Sequence, residues 1–242
     1  MTILDDRLGL ASDSRKAINI LILLAFMLLV GFPAQSIAED EFTRLEPQDE
    51  GLRDDEFMAF RDRLIQAIRF REPERLVTMI DSQILNGVDV PDGAQSFANI
   101  WRIDASDSAL WAVLEEIVTR GGAYVRSNLG VKFCAPYVFT HFPSDLSVDH
   151  HVAVLDENVP VMSDASASSD VLTLVSYAIL SVSDWNTVKD SQQGNVDWLK
   201  VKLAAQKVGY IDRTRVRSPK LDYHACFLYR GGKWRLFSLL KN

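Results

Sequence analysis

The 242-residue chain has only two cysteines and four histidines, and this scarcity excludes most metal chemistry. His141, His150, His151 and His224 stand at no metal-ligand spacing, with no His-Glu-x-x-His helix and no paired Cys-x-x-Cys units. Asp149-His150-His151 comes nearest to a cluster. Neighbours along a strand face opposite ways, so a surface strand edge is the simpler reading. The sequence also lacks a Gly-x-Ser-x-Gly elbow and a phosphate-cradling glycine loop; Gly121-Gly122 and Gly231-Gly232 read as punctuation. The carboxylate pairs Asp54-Asp55 and Glu115-Glu116 fall on solvated helix faces. An excess of positive charge is missing too. The 26 lysines and arginines against 33 aspartates and glutamates leave a net charge of −7, a surface that repels nucleic acid and anionic lipid. These absences predict a protein that is not an enzyme and has neither metal nor cofactor.

Long apolar runs are scarce as well. The most prominent spans Ile18 to Phe32 and is interrupted only by Asn19. A bilayer-spanning helix needs about 20 apolar residues, whereas a secretory h-region needs roughly 7 to 15. Arg15 and Lys16 precede the run, Pro33 breaks it, and Ser36-Ile37-Ala38 supplies small residues before acidic Glu39-Asp40. Residues 1–38 are therefore expected to be a signal peptide cleaved between Ala38 and Glu39, with membrane contact only through this segment before cleavage. An uncleaved single-span anchor is the alternative. The expected location is periplasmic or secreted. Since the leader holds three basic and three acidic residues, its removal leaves the net charge unchanged.

In an oxidising compartment, Cys134 and Cys226 are expected to form one disulfide, with two buried free thiols as the alternative. The bridge would close a loop of roughly 90 residues, worth about 4–5 kcal/mol in the chain-entropy model.

Residues 39–53 are acidic and without hydrophobic periodicity, and read as a mobile linker. Phe57, Phe60, Leu64, Ile65 and Ile68 then recur at helical spacing to about Phe70. Pro73 opens a second helix carrying Leu76, Val77 and Ile80, and Gly87 closes a short segment after Ile84 and Leu85. A third helix is expected between Asp92 and Ile103, and a fourth from Ser108 to the Gly121-Gly122 stop. The aromatic and β-branched stretch Val131 to Phe142 reads as a strand. Beyond residue 150 come short strands at 152–154, 159–161, 171–175, 178–182, 198–203 and 208–211, separated by polar turns as in a small barrel. Residues 183–195 read as a long polar loop around Trp185. Strands at 221–227 and 234–240 flank Arg230-Gly231-Gly232-Lys233, a tight-turn signal.

Within residues 150–217, Val159-Pro160-Val161-Met162-Ser163-Asp164-Ala165-Ser166, then Trp198-Leu199-Lys200-Val201, then Gly209-Tyr210-Ile211 follow the order of a turn motif, a Trp-x-x-Val strand and a Gly-aromatic-aliphatic strand. In this the segment resembles bacterial Src-homology-3-like (SH3-like) domains. It departs from the family turn motif where Pro160, Met162 and Asp164 replace asparagine, arginine and glycine. The closing hairpin and the helices from residue 54 are similar to nuclear-transport-factor-like cone folds, so the barrel is open to being an insertion that the last 22 residues return past to complete the first lobe.

The expected fold class is thus α+β: a mainly helical first lobe at 54–148 with a few strands, a small all-β SH3-like barrel at 150–217, and a C-terminal hairpin at 220–242. The SH3-like resemblance implies recognition of cell-wall peptide or an envelope protein. Trp185 and Tyr177 are the candidate contacts, whereas Trp198 and Tyr210 match barrel residues that pack structurally. SH3-like domains often accompany papain-like cell-wall endopeptidases, but Cys134 is expected in a strand rather than at a helix N-terminus, which argues against a nucleophile. The alternative function is a small-ligand carrier or enzyme with a pocket in the cone-like lobe.

Overall fold

The computed structural model describes residues 42–190 and 196–241; the expected leader, with Ala38 and Glu39, lies outside them. Among the described residues the fold is mixed α+β, with five α-helices and two sheets of five and seven strands. No helix among the described residues is long and apolar enough to cross a membrane.

Helix α1 (Asp55–Arg69) begins where Asp54 accepts a hydrogen bond from the Phe57 amide at 2.9 Å. That cap satisfies one of the four donors a helix start leaves free, and Asp55 and Glu56 complement the positive end of its dipole. Its buried face, Phe57, Phe60, Leu64, Ala67 and Ile68, is the stripe expected from the spacing. Helix α2 (Pro73–Thr78) follows, then strand β1 (Ile80–Leu85), α3 (Ala94–Trp101) and α4 (Leu110–Val118). The second helix thus stops two residues before Ile80, which opens a strand. Strands β2 (Ala123–Val125) and β3 (Val131–Ala135) come next. The expected strand to Phe142 ends at Ala135 because Pro136 has no N–H to continue the ladder, and α5 (Tyr137–Thr140) begins there instead.

The final hairpin, β11 (His224–Arg230) and β12 (Lys233–Leu240), lies inside the first sheet, whose order is β1-β12-β11-β3-β2. It therefore completes the first lobe. Gly231 and Gly232 both have positive φ, 61° and 75°, as a two-residue turn matched to strand twist requires. Against this sheet the helices bury an aromatic cluster. The Phe57 ring is 4.2 Å from Phe133 and 4.9 Å from Trp234, and all three are at most 6 % exposed.

Between β3 and β11 the chain makes the second sheet: β4 (His151–Val154), β5 (Val159–Met162), β6 (Val171–Val175), β7 (Ile179–Lys189), β8 (Asp197–Lys202), β9 (Val208–Asp212) and β10 (Val216–Arg217). Its order is β10-β4-β7-β8-β9-β5-β6, and its core is Val152, Val154, Val161, Leu180, Leu199, Val201 and Ile211 with neighbours. β4 and β5 lie four places apart in this order, about 19 Å across a flat sheet, yet only residues 155–158 join them. Even fully extended, the five steps from Val154 to Val159 span about 17 Å, short of that distance, so the sheet curls. The expected closed barrel is not formed by the ladder, because β10 and β6 are its two edges and do not pair with each other.

The second sheet is thus an insertion between two paired neighbours. Cys134 of β3 stands opposite Cys226 of β11, and their sulfurs are 2.03 Å apart in a disulfide at the neck of the insert. Residues 42–50, expected as linker, pair with both halves. Leu45 donates to the Tyr177 carbonyl at 2.8 Å and Thr43 accepts from Ile179 at 2.8 Å, while Glu50 donates to the Gly122 carbonyl at 2.9 Å. A β-carbon on Gly122 would stand 2.1 Å from the Cys134 carbonyl oxygen, so only glycine fits there.

Candidate functional site

The two aromatics singled out by sequence prove to be tied into the second lobe. Trp185 is on β7, which runs on to Lys189, so the expected loop is strand for its first half. The indole is partly buried against the second core, and its Nε1–H donates to the Asp149 carbonyl at 3.0 Å. Its hydrophobic body therefore has a packing partner that the surrounding polar sequence did not suggest. Tyr177, at φ 53°, occupies the turn into β7, where its amide donates to the Asp156 carbonyl at 3.2 Å. Trp198 is buried and Tyr210 half-buried on the adjacent strands β8 and β9.

The most exposed large apolar side chains of this lobe, among the described residues, lie along β6. This strand has one ladder neighbour, β5, and the sequence Val-Leu-Thr-Leu-Val without charge or proline. Val171 and Leu174 are 54 % and 57 % exposed. Edge strands are usually guarded by lysine, proline or a covering loop, because their free N–H and C=O groups template pairing with another chain. An apolar, unguarded edge can accept an extended peptide as an additional strand, with the exposed side chains supplying contact.

A second feature lies in the first lobe, where the alternative reading expected a pocket, although none of its lining residues was singled out from the sequence. An open cleft of about 570 Å³ runs between α1, α2 and the start of β12. Glu56 and Arg63 reach it from one edge of α1, Arg75 and Thr78 from α2, and Lys233 and Arg235 from β12. Phe60, Met79 and Trp234 form its largely buried floor. The Tyr229 hydroxyl at its margin is hydrogen-bonded to Glu56, which with the carboxylate's charge raises the phenol pKa and keeps it protonated. Four cations against one carboxylate on the lining contrast with a chain of net charge −7. The sequence scatters these residues over positions 56–79 and 229–235; only the return of β12 beside β1 brings them together.

The histidines do not converge. His141 shares a hydrogen bond with Thr140 at 2.9 Å, His151 with the Ser147 carbonyl at 2.8 Å, and His224 is buried flat against Phe139. Among the described residues no group of three histidine, cysteine or carboxylate side chains is arranged to hold a metal ion. No family model, no curated protein and no solved structure matches the chain.

Proposed function

We propose that this is an exported, non-catalytic binding protein of the cell envelope, in which an SH3-like sheet, inserted into a cone-like α+β lobe, recognises cell-wall peptide through its outer edge. The observation that carries the reading is β6, an uncharged apolar edge strand with Val171 and Leu174 open to solvent. The three segments that carry the family resemblance support it by being neighbours. Trp198-Leu199-Lys200-Val201 pairs along β8 with Asp212 to Gly209 on β9, and Met162 of the turn motif pairs with Tyr210. β6 belongs to the same hairpin as that motif, so the candidate contact strand leaves directly from it. The buried disulfide is compatible with an oxidising compartment.

The test is co-sedimentation of residues 39–242 with intact peptidoglycan sacculi, beside a Val171→Lys, Leu174→Lys double variant. Both positions are exposed, so the substitutions leave the core intact while placing charge on the edge. Salt-resistant binding that the double variant loses supports the reading. Equal binding by both proteins, or none by either, defeats it.

A further inference from the structure

We propose that the first-lobe cleft is a binding site for a small ligand carrying two or three negative charges, independent of the β6 edge. Its lining holds Arg63, Arg75, Lys233 and Arg235 against Glu56, a local excess of positive charge on an acidic protein. Such an excess would be self-repelling unless water or an anion offset it. Arg75 is already engaged, 3.0 Å from Glu72 and 3.3 Å from Gln66. Arg63, Lys233 and Arg235 have no ion pair among the described residues. Elsewhere the fold does pair its surface arginines where acids are near: Arg69 with Glu115, Arg102 with Asp107 and Arg215 with Asp156. Three unneutralised cations around one concavity set the charge of the preferred ligand at two or three.

The backbone adds a donor. In a two-residue hairpin the residues flanking the turn, here Arg230 and Lys233, exchange both backbone bonds. Trp234, next along β12, therefore turns its N–H away from β11. β1 begins its pairing only opposite Leu236, so this stretch of the edge is uncovered and Trp234 lines the cleft. An N–H beside guanidinium groups is the donor set that phosphate and carboxylate oxygens accept from, and guanidinium recognises either group with paired bonds. The apolar floor of Phe60 and Met79 keeps part of the wall dry, which strengthens charge recognition relative to open water.

Phosphate and carboxylate ligands share this chemistry, and the experiment separates them. Residues 39–242 are titrated calorimetrically at low ionic strength with pyrophosphate, with citrate and with monovalent acetate. Saturable binding of pyrophosphate or citrate, with acetate much weaker, is expected, and the tighter of the two assigns the ligand class. Arg63→Gln with Lys233→Gln, both at exposed positions without a side-chain partner, should weaken it about tenfold at unchanged melting temperature. Lys202→Gln, exposed on β8 of the other lobe, should not. Failure of both polyanions to bind, or an equal loss in the Lys202→Gln protein, overturns the proposal.

Discussion

His224 is buried, lies parallel to the Phe139 ring at 3.7 Å, and leaves its Nδ1 without a partner among the described residues. Burial first, and then the positive charges of Arg217 and Lys132, push its pKa down from 6.5 to about 4. Between those two values the unfolded chain binds a proton that the folded chain refuses. The contribution is therefore fully present above about pH 6.5 and falls as the pH drops toward 4, by up to about 3 kcal/mol. His224→Phe keeps the stacked ring and removes the titration. Urea midpoints of wild type and variant should be close at neutral pH, and the variant should be the more stable near pH 4.5; parallel pH profiles would refute this. Arg217, also buried, works at the same place by other means. It donates to the Tyr223 carbonyl and lies 3.4 Å from Glu116 on α4, so it connects β10 of the insert to a helix of the first lobe. Arg217→Met should cost about 1–3 kcal/mol in chemical denaturation and no more, because Glu116 is partly hydrated and keeps its pairing with Arg120 at 3.1 Å.

At the scale of elements, β3 and β11 are joined by backbone pairing and by the disulfide between opposed Cys134 and Cys226. Replacing both cysteines by alanine should lower stability by about 2–4 kcal/mol in a denaturant titration, since the bridge restrains a 92-residue separation in the unfolded chain. An unchanged midpoint would mean that the insert already holds the neck closed. The pairing of these cysteines was legible from their count and the expectation of export, as were α1 and α4, whose apolar residues recur at helical spacing, and the Gly-Gly hairpin. Strand β1 was not legible. Its middle, Asp81-Ser82-Gln83, has no strand propensity; it is extended because β12 accepts it as a parallel neighbour and because Asp81, though buried, caps the Gln83 amide and faces Arg230 at 3.5 Å. The outer half of β7 was hidden for a related reason. From Ser183 to Lys189 it is mostly exposed, so no alternation of buried and open positions marks it as strand, and Trp185 looked unsupported. The edge character of β6 and the charge of the cleft depend on strand order, which local sequence does not encode.

For the whole molecule, the insertion is arranged so that each half has its own closure. The first and last strands of the insert, β4 and β10, are antiparallel partners, with Val154 opposite Val216, so the chain enters and leaves the second sheet side by side. β3 and β11 are likewise adjacent, so the first sheet has no gap where the insert departs. The two apolar cores are distinct in membership, one built around Phe57, Phe133 and Trp234 and the other around Val161, Leu180 and Leu199. What couples them is a third, smaller apolar cluster, in which Tyr137 and Val138 of α5 pack with Leu45 of the strap and with Ala153, Leu155 and Ile179 of the insert, together with the Arg217 contacts, the 42–50 strap and the disulfide neck. Replacing residues 142–222 by a short Gly/Ser connection should therefore leave a first lobe that folds with β11 still paired to β3 and the disulfide formed. Its residual stability should be lower, because half of the strap then has nothing to pair with and Tyr137 and Val138 lose the apolar cover of Ala153, Leu155 and Ile179. The cleft, whose lining comes entirely from residues 56–79 and 229–235, should survive in this shortened chain, so pyrophosphate or citrate should bind it as tightly as the full protein while sacculus binding disappears. A shortened chain that unfolds without a cooperative transition would show instead that the inserted sheet is part of the first lobe's folding unit, and that the two cores are stable only together.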